Sequence, residues 1–68
     1  MPLSVEVEQK TDGRWLCEVP ELPGVMTYGA TREEAAARVQ ALSMRVLADR
    51  IEHGEAVPEL SSVFAVRS

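Results

Sequence analysis

The sequence predicts one small α+β domain, in which an antiparallel sheet carries a single long helix on one face, in the order β-β-β-α-β. Three observations lead to this prediction. Apolar and polar residues alternate in two N-terminal segments that a glycine-containing turn separates, a helix-favouring segment follows a capping signal, and the tail is rich in β-forming residues. The chain has 68 residues, so we expect one domain that spans 1–68.

The first two strands form a predicted β-hairpin. Apolar residues recur at every second position, at Leu3, Val5 and Val7 and then at Trp15, Cys17 and Val19. A three-residue loop, Thr11–Gly13, keeps these residues on one face, and so does a five-residue loop, whereas a two-residue loop mixes the faces. We therefore expect the longer turn, with Gly13 in a left-handed conformation and Glu6 opposite Glu18.

A turn, a third strand and a helix start follow with almost no loop between them. Pro20 has no N–H to donate to a ladder and marks the end of the second strand. Leu22-Pro23-Gly24-Val25 fits a type II turn, because Pro sets φ at the second position and Gly accepts a positive φ at the third. The third strand is predicted over 25–28, and Gly29 ends it.

The helix is predicted from Arg32 to about His53, a segment rich in Ala, Arg, Glu and Leu. Thr31 is its N-cap, and Glu34 stands at the capping-box spacing. Gly54 is a natural residue for the C-terminal end, and Pro58 prevents continuation. The expected apolar stripe is Ala35, Val39, Leu42 and Val46, with Leu47 and Ile51 on its flank. The tail, 61–67, would supply a fourth strand to this sheet or to a neighbour's.

Charge and cysteine content exclude several classes of function. The net charge is −4, and an acidic surface repels phosphate, so we expect no direct DNA binding; this charge suits solubility or a basic protein partner. Cys17 is the only cysteine, which rules out a disulfide within the chain and fits a reducing cytoplasm. No signal peptide and no apolar segment of membrane-spanning length is visible, and we expect a cytoplasmic protein without a membrane partner.

The sequence shows no pattern typical of catalysis. His53 is the only histidine and is expected to contact carbonyl groups at the helix end. Cys17 lies on the apolar face of a predicted strand, where a thiol is inert. No metal-ligand spacing, phosphate loop or nucleophile elbow is present. We therefore predict no enzyme activity, no catalytic or metal site and no cofactor.

One face of the predicted sheet carries Glu6, Glu8, Leu16 and Glu18. This set is either a solvated face or a docking surface for a basic partner, and we keep both interpretations. Trp15 and Tyr28 are expected to be core or sheet-packing residues, with an aromatic anchor at a protein interface as the alternative. The tail "SSVFAV" has few charges and invites pairing with another chain, so we expect a homodimer or a higher oligomer.

Three pieces of the sequence, taken together, resemble the HicB-like antitoxin family. They are "DGRWLCEVPELPG" (Asp12–Gly24), "TYGATREEAAA" (Thr27–Ala37) and "HGEAVPEL" (His53–Leu60), in the family's order and spacing. The positions that carry the resemblance are expected to be structural: Pro20, Pro23, Gly24, Gly29, Thr31, Glu34, Gly54 and Pro58.

The resemblance implies a β-β-β-α-β domain related to a degraded ribonuclease H fold, without catalytic activity. It also implies self-association and the binding and neutralisation of a small basic HicA-like toxin that cleaves messenger RNA. Many family members carry a C-terminal DNA-binding domain, which has no counterpart in these 68 residues. The alternative is a solitary oligomeric scaffold or small-ligand-binding domain.

Overall fold

The computed structural model describes residues 3–55, which form three strands and one helix. These are β1 (Glu6–Gln9), β2 (Trp15–Glu18), β3 (Met26–Gly29) and α1 (Arg32–Glu52). The strands form an antiparallel sheet in the order β1-β2-β3, and α1 packs against β3 and β2. The predicted α+β class is confirmed for this part of the chain. The predicted fourth strand and Pro58 lie outside the described residues.

The β1–β2 hairpin has the predicted three-residue turn. The backbone N–H of Lys10 donates to the carbonyl of Arg14 over 2.7 Å, and the N–H of Gly13 donates back to the Lys10 carbonyl over 3.0 Å. Gly13 has a φ of 90°, the left-handed conformation that the turn requires. The predicted register is therefore confirmed, with Val7 opposite Cys17 and Glu6 opposite Glu18.

The start of β1 differs from the prediction. The alternation predicts a strand from Leu3, but the strand begins at Glu6, and Val5 is 38% exposed rather than buried. The reason is a tertiary contact: the backbone N–H of Ser4 donates to Oε1 of Glu21 over 3.1 Å. A side chain from the loop after β2 thus takes the place of a strand partner at this end of the chain.

The connection between β2 and β3 is the predicted type II turn. The N–H of Val25 donates to the carbonyl of Leu22 over 3.0 Å, and Gly24 has a φ of 85°. The strand that follows is one residue later than predicted and ends at Gly29. This register places Tyr28 opposite Leu16.

The ends of α1 lie where the capping residues predict them. Oγ1 of Thr31 accepts a hydrogen bond from the N–H of Glu34 over 3.1 Å, and Oε1 of Glu34 accepts one from the N–H of Ala30. The helix ends at Glu52, and Gly54 follows with a φ of 77°. Within residues 3–55, no helix is long and apolar enough to cross a membrane.

The buried stripe of α1 is rotated relative to the predicted one. Its buried residues recur every fourth position, at Ala35, Val39, Ser43 and Leu47. Leu42 and Val46, expected in the stripe, are half-buried, and Ile51 is 52% exposed. The buried hydroxyl of Ser43 donates to the Val39 carbonyl over 2.7 Å, so this polar residue sits in the stripe with its donor satisfied. The sheet and its following loop complete the core with Cys17, Val19, Leu22 and Val25.

The helix approaches the sheet most closely at Gly29. A Cβ atom at this position would lie 2.5 Å from the backbone N of Ala35, so a larger residue has no room. The hydroxyl of Thr27 donates to the Ala35 carbonyl over 2.9 Å and ties the same strand to the helix. The side chains of β2 that point the other way are left on the opposite face of the sheet.

Candidate functional site

The face of the sheet opposite α1 brings together all four residues that the sequence singles out. Because side chains alternate along strands, burial of Cys17 against α1 directs Leu16 and Glu18 to the other side. The pairing then adds Glu6 and Glu8 from β1 and residues of β3. We call this surface the open face; with the pair next to the hairpin turn, it consists of Glu6, Glu8, Lys10, Arg14, Leu16, Glu18, Met26 and Tyr28.

A shallow depression of about 420 Å³ lies on the β1 side of the open face. It is lined by Glu6, Val7, Glu8, Leu16 and Glu18. Leu16 and Glu18 are half-buried, whereas Glu6 and Glu8 are exposed. Three glutamates and two aliphatic residues, Val7 and Leu16, therefore line an open depression.

The carboxylates of the depression are only partly neutralised. Nζ of Lys10 lies 3.4 Å from Oε2 of Glu8, in an exposed ion pair. Among the residues that the structure describes, Glu6 and Glu18 have no ion-pair partner within 4.0 Å, and they lie opposite each other. Like charges directly opposite on neighbouring strands are unfavourable, so this arrangement costs stability.

Arg14 occupies the end of the open face next to the hairpin turn. Its Nε lies 2.7 Å from Oδ2 of Asp12, and its guanidinium lies 4.7 Å from the centre of the Tyr28 ring. A hydrogen bond from the Arg14 backbone N–H, followed by one from the guanidinium, holds the pKa of Asp12 below its ordinary value. Arg14 is thus held in place over the aromatic ring.

The β3 part of the open face is apolar. Met26 is 46% exposed and Tyr28 is 40% exposed. Tyr28 lies outside the core, with its ring against the Arg14 guanidinium, and the alternative of an aromatic anchor at an interface stays a prediction. Trp15, by contrast, is half-buried and packs against the core.

Sequence reasoning missed Met26, Tyr28 and Arg14 as members of this face. The missing information was the length of the loop between β2 and β3, which sets which residues lie across from Leu16. The type II turn was a usable signal, because pairing Val19 with Val25 around it places Tyr28 beside Leu16.

The residues with nucleophilic or metal-binding side chains are not brought together. Cys17 is fully buried in the core, and Nδ1 of His53 lies 2.8 Å from the Asp49 carbonyl at the helix end, as predicted. Within residues 3–55, no three His, Cys, Asp or Glu side chains are grouped so that they could hold a metal ion. The three glutamates of the open face therefore lie along a surface rather than around a point.

Within residues 3–55, the positions that carry the family resemblance lie in turns, at helix caps and at the end of β3. Pro20, Pro23 and Gly24 shape the β2–β3 connection, and Gly29 allows the helix to approach. Thr31 and Glu34 cap the start of α1, and Gly54 follows its end. These residues thus position the sheet and the helix without forming a site themselves.

Comparisons with known proteins leave the chain without an identified relative. A scan against protein-family models found no match, and searches of the curated proteins and of the solved structures found no significant match.

Proposed function

We propose that this protein is a small, non-enzymatic protein-binding module of the HicB type. In this proposal it binds and neutralises a small basic toxin that cleaves messenger RNA, and the open face is the binding surface. The observation that carries the proposal is the depression lined by Glu6, Glu8, Leu16 and Glu18, in which two carboxylates face each other.

The electrostatics of the open face favour a cationic protein as the ligand. Unpaired carboxylates attract lysine and arginine side chains, and they speed the encounter with a basic surface. A nuclease that binds RNA needs such a basic surface for the phosphates, so an acidic module can cover it. The half-buried Leu16 and the exposed Tyr28 provide apolar and aromatic contact area of the kind enriched in interfaces.

The unfavourable pairing of Glu6 with Glu18 also fits a binding role. A surface selected for stability alone would not place two unpaired carboxylates opposite each other, because any neutral residue would remove the repulsion. A partner that supplies a lysine or arginine between them would convert this repulsion into attraction. The stability that the free module loses is then recovered in the complex.

A pull-down with matched charge variants tests the proposal. The tagged protein, the variant E6K/E18K and the control E52K/E55K are used as baits in lysate of the native host, followed by mass spectrometry. Both variants change the net charge by the same amount, but Glu52 and Glu55 lie at the exposed end of α1, away from the open face. We expect the wild type and the control to retain one small basic protein near 1:1, and E6K/E18K to lose it.

The captured protein is then tested directly. It should cleave messenger RNA by itself, and the wild-type module should block cleavage while E6K/E18K should not. Retention of the same basic protein by E6K/E18K, with unchanged salt dependence, would contradict the assignment of the open face.

A solitary oligomeric scaffold is the second candidate, and exposed residues on α1 favour it. Met44 is 59% exposed and Ile51 is 52% exposed. The two are seven residues apart, so they lie on the same side of the helix. If this surface drives oligomerisation, M44E/I51E should lower the mass measured by sedimentation equilibrium, and an unchanged mass would reject it.

A further inference from the structure

The open face carries charges of opposite sign at its two ends. The strand pairing arranges its residues in three rows that cross the strands. The acidic row is Glu6 and Glu18, with Met26 beside them; the central row is Glu8, Leu16 and Tyr28; and the basic row is Lys10 and Arg14, next to the hairpin turn. Successive rows are two residues apart, or about 6.7 Å.

Two contacts establish that the basic row lies on the open face. The Lys10 ammonium reaches Glu8, and the Arg14 guanidinium lies over the ring of Tyr28, and both of these partners belong to the central row. The backbone bond from Lys10 to Arg14 places the two residues opposite each other. An acidic row and a basic row therefore lie on either side of a central row that contains Leu16 and Tyr28.

We propose that two copies of this chain pair through their open faces, about a two-fold axis that lies between the sheets and crosses the strands at the central row. This rotation reverses the strand direction and places β1 over β1 and β2 over β2. Glu6 then faces Lys10 of the second copy, and Glu18 faces Arg14 of the second copy. The three residues of the central row, Glu8, Leu16 and Tyr28, meet their own counterparts at the centre, and each Glu8 carries the ion pair with its own Lys10.

The charge pattern selects this axis over the other two-fold arrangement. An axis that runs along the strands would keep each row opposite its own copy. The acidic row would then lie against the acidic row of the second copy, and the basic row against the basic row. Juxtaposed like charges oppose association, whereas the crossing axis pairs both carboxylates of the acidic row with the two cations of the basic row and leaves only Glu8 opposite a like charge.

The small area of the open face limits the affinity of the dimer, and the dimer covers the surface that a basic partner would bind. Three short strands offer less than the roughly 800 Å² per partner of a standard interface, so the dimer is expected to be weak and salt-sensitive. It goes beyond the proposed function and stands without it, because the second copy is the only ligand involved. A basic partner that binds the open face would have to displace the second copy.

A charge-exchange experiment on the full chain tests the pairing. Sedimentation equilibrium is measured over a roughly hundredfold range of protein concentration for the wild type, E6K, K10E, the double variant E6K/K10E and a mixture of the two single variants. Each single variant places like charges together at both symmetric contacts, so we expect about tenfold weaker self-association. The double variant restores opposite charges across the axis, and so does the mixture, which should form a heterodimer.

Several results would overturn the pairing. A wild type that stays monomeric throughout the range would do so, as would single variants that associate like the wild type, or a mixture that does not associate. If M44E/I51E no longer associates while E6K associates like the wild type, self-association belongs to α1 instead. The outcome is separate from the proposed function, because E6K/K10E should regain dimerisation while still binding a basic partner less well than the wild type.

Discussion

Removal of one carboxylate from the Glu6–Glu18 pair should stabilise the free protein. The pairing of Lys10 with Arg14 makes Glu6 and Glu18 a hydrogen-bonded pair, since such pairs recur at every second residue, and their Cα atoms are then about 5.5 Å apart. Two unit charges held at this same spacing repel by about 0.75 kcal/mol in water without salt, and carboxylates that turn apart repel less. Screening at ~0.1 M salt reduces this to about 0.4 kcal/mol.

The assay is thermal unfolding of E6Q, E18Q and E6Q/E18Q, followed by circular dichroism. Each single variant should unfold roughly 2–3 °C above the wild type, because 1 kcal/mol shifts the Tm of a domain of this size by about 4–8 °C. The double variant should gain no more than either single one, since the repulsion can be removed only once. At ~1 M salt, where the Debye length is about 3 Å, the gain should disappear.

Glu8 provides a matched control on the same strand and the same face. It lies opposite Leu16 and pairs with Lys10, so E8Q removes an attraction rather than a repulsion and should not raise the Tm. The reasoning is refuted if E6Q and E18Q give additive gains, if the gains persist at high salt, or if E8Q stabilises equally. The proposed function adds that E6Q should bind a basic partner less tightly although it is more stable.

Three further predictions concern the framework that holds the open face. Gly29→Ala places a Cβ 2.5 Å from the Ala35 backbone N and should lower the free energy of unfolding, measured with urea, by about 1–3 kcal/mol. An unchanged free energy would mean that α1 does not approach Gly29 this closely. Thr31→Ala removes the side-chain acceptor at the start of α1 and should cost about 1 kcal/mol, whereas Thr31→Ser should cost little. The pKa of Glu21 lies below its ordinary value of 4.5, because its carboxylate accepts hydrogen bonds from its own backbone N–H, the larger effect, and from Ser4. The contribution of Glu21 to the free energy of unfolding is therefore complete above pH 4.5 and is lost as the pH falls through its lower folded-state pKa. Glu21→Gln should flatten the dependence of stability on pH in that range. An unchanged dependence would argue against the contact.

The sequence by itself determined the local elements of this protein and the register of its hairpin. Gly13, Gly24 and Gly54 mark the positions of positive φ, and Thr31 marks the helix start, because these signals act through the conformation and hydrogen bonds of a few neighbouring residues. The register of β1 on β2 followed from burial, since a slip of one residue would expose the apolar face. The same alternation places Glu6, Glu8, Leu16 and Glu18 on one face.

Only the tertiary structure decided how these elements meet. α1 buries Ser43, leaves Ile51 exposed and packs closely on Gly29, and helical periodicity encodes none of these features. The contact of Arg14 with Tyr28 depends on the path of the β2–β3 loop, because that path sets which β3 residues lie across from β2. Contacts between residues distant in sequence form only when the elements pack together. Local preferences do not distinguish between the different ways in which these elements could pack. The pattern of charge and apolar surface on the open face is therefore a property of the assembled sheet.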